Sequence, residues 1–214
     1  MFNKMIVSLA IISISNSVLA SAPVANIKVT GSITPPNCTI HGQSEVDLEY
    51  KFDIDRNNLP EPSGIDKTID IGEKTQSIQI VCDAKTFLSL TPIDQRADSA
   101  YKKNRANFGL GFFDGDKQIG SYSIAMLYPK TKQDSSSPFV NGTIIAPRYI
   151  SQLVYLENND RYIWGKDGTD IYQEAEIFSV DFLVNPRLNP EFKKSWSDES
   201  LDGHTVLAFS FAIN

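Results

Sequence analysis

Apolar and polar positions alternate along most of this chain, and the alternation has a period of two. Ala25, Ile27 and Val29 share one parity, and Gly31 and Ile33 continue it. That period places all of them on one face of an extended strand. Pro35 and Pro36 cannot donate ladder hydrogen bonds, so the strand ends or lies at an edge there, and Cys38 follows at once. The apolar face fills either this domain's own core or a neighbour's.

The same pattern recurs downstream. After a polar connection that begins at His41-Gly42, Val46, Leu48, Tyr50, Phe52 and Ile54 predict a half-buried strand. Asp55 to Gly64 is dense in turn formers and reads as a surface loop. Ile65, Ile69 and Ile71 lead into a second strand closed by Gly72. Ser77–Cys82 is a third, and Phe87, Leu88 and Leu90 make short β runs after it. Asp94 to Arg105 is polar and reads as a loop. Phe108, Leu110 and Phe112 alternate again. Asp114-Gly115-Asp116 signals a hairpin, with Ile119–Leu127 as the returning strand and Lys130–Pro138 as a further loop. Strands are expected at Thr143–Ile145, Ser151–Leu156 and Phe178–Val184, the last broken by Pro186 and Pro190, and Asn158-Asn159-Asp160 and Lys166-Asp167-Gly168 read as turns flanking Arg161–Trp164. Thr205–Ile213 closes the chain, with Leu207, Phe209, Phe211 and Ile213 on one strongly apolar face. No segment sustains a helical period over three turns. Short strands separated by turn signals imply an all-β sandwich, and 214 residues suit one such domain.

Residues 1–20 add a compartment to this picture. Lys4, the apolar run Met5–Val18 and the small-residue site Val18-Leu19-Ala20 read as a secretory signal, with Ser21 as the mature start. The run is too short for a membrane anchor. Export places Cys38 and Cys82, the only cysteines, in an oxidising space, where one disulfide is the simplest state. The formal net charge of −6 argues against nucleic acid and anionic membranes as partners. Lys102, Lys103 and Arg105, the one basic cluster, read as a solvated loop.

Candidate chemistry is sparse. There is no G-x-S-x-G, H-E-x-x-H, P-loop or G-x-G-x-x-G pattern, so an enzyme is not expected, and no cofactor or metal is implied. His41 and His204 stand far apart in sequence. Asp114, Asp116, Asp167 and Asp170 lack calcium-loop spacing and read as turn carboxylates. Tyr162 and Trp164 offer either a sugar-stacking platform or, more in keeping with a hairpin, packing rings.

Three motifs together resemble the chaperone–usher fimbrial subunits of Gram-negative bacteria. They are V-T-G-S-I-T-P-P-N-C (Val29 to Cys38), S-I-Q-I-V-C-D (Ser77 to Asp83) and the apolar C-terminal stretch L-D-G-H-T-V-L-A-F-S-F-A-I-N. The middle, F-G-L-G-F-F-D-G-D-K-Q-I-G-S-Y (Phe108 to Tyr122), looks like a longer branch of fimbrial-like secreted proteins. The resemblance implies an immunoglobulin-like, pilin-type sandwich that lacks one strand and is completed by a donor strand. It implies a signal peptide at 1–20, a donor segment at 21–30 and a sandwich domain at 31–214. Ala25, Ile27, Val29 and Gly31 would then be donor-segment residues. Leu207, Phe209, Phe211 and Ile213 would line the groove and bind the chaperone. The implied partners are a periplasmic chaperone, an outer-membrane usher and neighbouring fimbrial subunits, and the implied role is adhesion at the cell surface. The segment before Gly31 is short for a donor strand, and Ile213 stands where such subunits carry an aromatic residue. The alternative is a self-complete secreted sandwich, a minor or tip subunit that recognises a glycan.

Overall fold

Among the described residues, thirteen strands and three brief 3₁₀ segments carry the fold. The computed structural model describes residues 25–32, 34–195 and 200–211. In chain order the strands are β1 (Cys38–Ile40), β2 (Ile69–Asp70), β3 (Lys74–Asp94), β4 (Phe108–Gly109), β5 (Phe112–Phe113), β6 (Lys117–Gln118) and β7 (Gly120–Lys132). They continue with β8 (Val140–Ile145), β9 (Ile150–Ser151), β10 (Leu153–Tyr155), β11 (Tyr162–Lys166), β12 (Glu174–Leu188) and β13 (Thr205–Phe211).

The long strand β3 joins two sheets. Its Ile80 pairs with both Ile40 of β1 and Phe178 of β12. Its Leu90 pairs with both Phe209 of β13 and Tyr162 of β11. The first sheet runs on from β12 to β7, which also holds β4 and β10, while β2 pairs with the end of β12. The second runs from β11 to β8 and β9. Every ladder is antiparallel, and inward side chains from both sheets form one sandwich core. Trp164 of β11 meets Phe178 of β12 edge to face at 5.7 Å between ring centroids, and Phe209 of β13 leans over the same indole at 6.3 Å.

The expected elements are largely present, with several corrections. Ser77–Cys82 and the short runs after it are a single strand of 21 residues. The predicted loop at Lys130 begins inside β7, which extends to Lys132. Pro186 does not break β12: it pairs with Tyr122 inside the strand. Its carbonyl faces outward, accepting a 3.5 Å bond from the Ile71 amide, so the N–H that proline lacks would also face that lightly paired side. Pro190 does end the extended run, opening the 3₁₀ segment Pro190–Lys194. The hairpin at Asp114-Gly115-Asp116 forms, with Phe113 opposite Lys117. The parity before it changes at Gly111, where φ is +90°, so that Phe112 points out and Phe113 is buried against Phe192 at 5.3 Å. The polar stretch after Asp94 is an ordered turn. Ser99 and Ala100 are buried in it, and the Asp94 carboxylate accepts from the Arg96 and Gly109 amides at 2.8 and 2.9 Å. Gly109 abuts it so closely that a Cβ there would lie 1.9 Å from the Arg96 carbonyl oxygen.

The largest departure is Val46–Ile54. The expected alternation is present, with Val46, Leu48, Tyr50, Phe52 and Ile54 half-buried between exposed neighbours, but no ladder forms. The stretch runs antiparallel beside the start of β3 and is held by side chains: Gln76 Nε2 donates to the Glu49 carbonyl at 2.7 Å and Lys74 Nζ to that of Lys51. Tyr50 anchors it, its hydroxyl donating to the Phe182 carbonyl at 2.9 Å.

Burial pushes the Tyr50 phenol up to about 12. The folded state therefore holds the proton more tightly than the unfolded chain, whose phenol ionises near 10. The resulting stability is present in full below pH 10 and is lost as pH rises from 10 to about 12. Tyr122, whose hydroxyl meets Thr205 Oγ1 at 2.7 Å, is shifted in the same direction for the same reason. Tyr50→Phe is expected to cost about 0.5–1.5 kcal/mol at neutral pH and to flatten the alkaline loss of stability. Urea titrations at pH 7, 10 and 11.5 measure both effects; an unchanged alkaline slope would remove Tyr50 as its cause.

Candidate functional site

The residues that point towards function lie at the two ends of the described chain and at the disulfide near the first of them. Residues 25–32 belong to a unit of their own, separate from the one that starts at Pro35. They form no regular secondary structure. Ala25, Ile27, Val29 and Gly31 are all exposed, Ile27 at 92% and Val29 at 91% of its surface. Gly31 has a negative φ and no atom within 4 Å of a Cβ built on it, so neither conformation nor crowding demands glycine there. Ile33 lies outside the described residues.

Cys38 and Cys82 are disulfide-bonded and face each other in the β1–β3 ladder. The adjoining pair reinforces the junction: the Asn37 amide donates to Asp83 Oδ1 at 2.9 Å, and the Asp83 amide to the Asn37 carbonyl at 3.0 Å. The bond thus joins the start of β1 to the middle of β3, not to a strand end as the sequence suggested.

At the other end, β13 has β3 as its one ladder partner among the described residues, over seven residue pairs from Thr205↔Asp94 to Phe211↔Leu88. Among the described residues its outer edge is a row of backbone donors and acceptors without a ladder partner, the feature to which another strand can add. Leu207, Phe209 and Phe211 alternate inward and are only half-buried; Leu207 and Phe209 touch the core. Ile213 lies outside the described residues.

Other candidates resolve into structural roles. Trp164 and Tyr162 are fully buried, at 0% and 1% exposure, so the sugar-stacking platform is ruled out and the packing reading stands. Arg105 is paired with Asp160 and with Glu157 at 3.5 Å, and Lys102 lies 5.2 Å from the Tyr101 ring centroid. Asp114 accepts from Ser195 Oγ at 3.0 Å and faces Lys117; Asp167 accepts from Gln152 Nε2 at 2.7 Å. His41 and His204 are both exposed, at opposite ends of the sandwich sequence.

Sequence reasoning missed the side chains that clamp Val46–Ile54, Lys74 and Gln76. Their signal was weak: two outward polar positions on a strand whose neighbour could not be named from the pattern. It also missed the polar network of Asp70, Asn185 and Arg187 on the outer face of β2 and β12. Its trace was a set of polar residues alternating with buried ones near the end of β12.

No protein-family model matches the chain, and no curated protein matches it at a significant level.

Proposed function

We propose that the chain is a structural subunit of a chaperone–usher type fimbria, assembled by donor-strand exchange and serving surface adhesion. In this reading Ala25, Ile27 and Val29 enter a neighbouring subunit's groove. Leu207, Phe209 and Phe211 border this subunit's own groove. A periplasmic chaperone covers the groove until an outer-membrane usher exchanges it for the next subunit. The sandwich is then of the immunoglobulin-like pilin type, and the chain is exported to the cell surface.

One observation carries the reading: two branched apolar residues at strand spacing, Ile27 and Val29, stand more than nine-tenths exposed just before a disulfide-tied sandwich. Burying each in a partner is worth about 1.5–3 kcal/mol. The half-buried apolar row on β13, beside an open edge, supplies the complementary surface. Main-chain bonds along such an edge give affinity, and alternate side chains give register.

The test is a double variant, Ile27→Asp with Val29→Asp, expressed with its own secretion machinery. Both changes fall on exposed positions, so the thermal midpoint of the subunit should match wild type while fibres disappear. Normal fibres from the double variant would sink the proposal. So would a wild-type chain that is monomeric without a chaperone, unfolds cooperatively and gains no stability from a peptide spanning Ala25–Thr30.

A further inference from the structure

The outer face of the first sheet carries a polar cleft of about 300 Å³ that the assembly role leaves unused. Asn185 and Arg187 reach it from β12, Ser123 from β7, Asp70 from β2, Tyr155 from β10 and Asn107 from the turn before β4. Hydrogen bonds hold the floor in place. Asn185 Nδ2 donates to Asp70 Oδ1 at 3.2 Å and to the Gly72 carbonyl at 3.1 Å. Arg187 Nε donates to Asn185 Oδ1 at 3.1 Å and lies 3.8 Å from Asp70 Oδ2. The Gly72 amide fixes Asp70 further, at 2.8 Å from Oδ1. This network uses Nε of Arg187 and leaves both Nη groups without an acceptor among the described residues. Asn107 spends its Nδ2 on the Lys102 carbonyl at 2.7 Å, and its Oδ1 has no donor among the described residues. Tyr155 is 51% exposed at the rim.

We propose that this cleft binds a neutral saccharide unit. Each sugar hydroxyl both donates and accepts, so its site needs planar groups that offer both functions in fixed directions. The Arg187 fork, the Asp70 carboxylate and the Asn107 carbonyl provide them. The C–H face of a sugar ring needs an apolar plane, and the Tyr155 ring is the one aromatic surface at the rim with substantial exposure. The volume lies at the lower end of the range for small-molecule sites, roughly 300–1,000 Å³. Charge separates neutral from acidic ligands. Arg187 and Asp70 offset one another, Glu73 adds a negative charge at the edge, and the chain carries −6 overall. A floor already bonded within the protein loses little freedom on binding. Asn107 also borders a second depression, of about 350 Å³ and lined in part by Asn158 and Asn159, which gives a longer glycan an adjoining place. The assignment does not depend on how the chain assembles.

The test is saturation-transfer NMR followed by calorimetric titration of the full chain. The probes are glucose, galactose, mannose, N-acetylglucosamine, their disaccharides and N-acetylneuraminic acid. At least one neutral probe should bind saturably. Tyr155→Ala and Arg187→Lys, the latter keeping charge but losing the fork, should each weaken it roughly tenfold or more. Tyr128→Ala, which removes an exposed ring outside the cleft, should leave affinity unchanged, and thermal scans should show all three variants folded. The proposal is overturned if no neutral probe binds, if only N-acetylneuraminic acid binds, or if binding survives either cleft substitution.

Discussion

Replacing Trp164 by alanine is expected to destabilise the sandwich by about 3–5 kcal/mol, enough to use up much of a stability of roughly 5–15 kcal/mol. The indole is fully buried at the point where the two sheets meet. Removing it leaves a cavity that the rigid ladders on both sides cannot close. Phe178 loses its edge-to-face partner, and Phe209 of β13 loses the surface beneath it. The damage should therefore be uneven. Amide exchange in Thr205–Phe211, a strand with one ladder partner, should accelerate more than in the central strand Glu174–Leu188. Trp164→Phe is the informative control. The indole Nε1 is buried and has no hydrogen-bond partner among the described residues, so phenylalanine removes volume but also a desolvated donor. Its cost should fall well below that of alanine. Denaturant titration of the three proteins measures the order. Equal losses for Phe and Ala would mean that the indole N–H has an acceptor in solution.

The alternation that predicted strands was a statement about side-chain faces, and on faces it held. Tyr50 and Phe52 are half-buried, as the period of two requires, yet their backbone lies in no ladder. Pairing depends on a neighbour's backbone being in register, and a period of two contains no information about the neighbour. The same limit explains why β3 appeared as fragments. Its run Asp83–Lys85 is exposed and carries a charge at either end where the strand passes from one sheet to the other, so the pattern faded where the ladder did not. Pro186 misled for a local reason, since proline is excluded only where an N–H must serve a ladder. Gly111 reversed the parity of its strand through one positive φ, which glycine permits but does not announce.

The candidate sites differed in legibility for a similar reason. Ile27 and Val29 could be singled out because they alternate within one short segment that precedes a cysteine, and their exposure is what separates them from an ordinary first strand. The inward face of β13 was plain as Leu207, Phe209 and Phe211, but its open edge is a property of the topology. The polar cleft was beyond reach. Asp70, Asn107, Ser123, Tyr155, Asn185 and Arg187 come from segments spread over more than a hundred residues, and only the pairing of β2, β7 and β10 with their neighbours collects them.

Removing the disulfide, by Cys38→Ala with Cys82→Ala, is expected to cost about 4 kcal/mol in the chain-entropy account of a cross-link at this separation of 44 residues. The cost should be local in its onset. Strand Cys38–Ile40 offers only three residue pairs to β3, and the extended stretch that follows is held by side chains instead of a ladder. Without the bond, the segment from Cys38 to Ile54 keeps the three β1 pairs, the Lys74 and Gln76 side-chain bonds, the Tyr50 anchor and its half-buried side chains. Opening it would bare the edge of β3 along residues 74–82 and the apolar side chains that cover that part of the core. Amide exchange should therefore rise first in 74–82, at denaturant concentrations where Thr205–Phe211 is still protected. Cys82 is buried, so part of any loss in the alanine variant comes from packing. Reducing the wild-type protein under native conditions removes the bond and leaves both sulfurs, and it should account for most of the effect. If reduction costs less than about 1 kcal/mol, the cross-link would not be what holds Val46–Ile54 against the sheet.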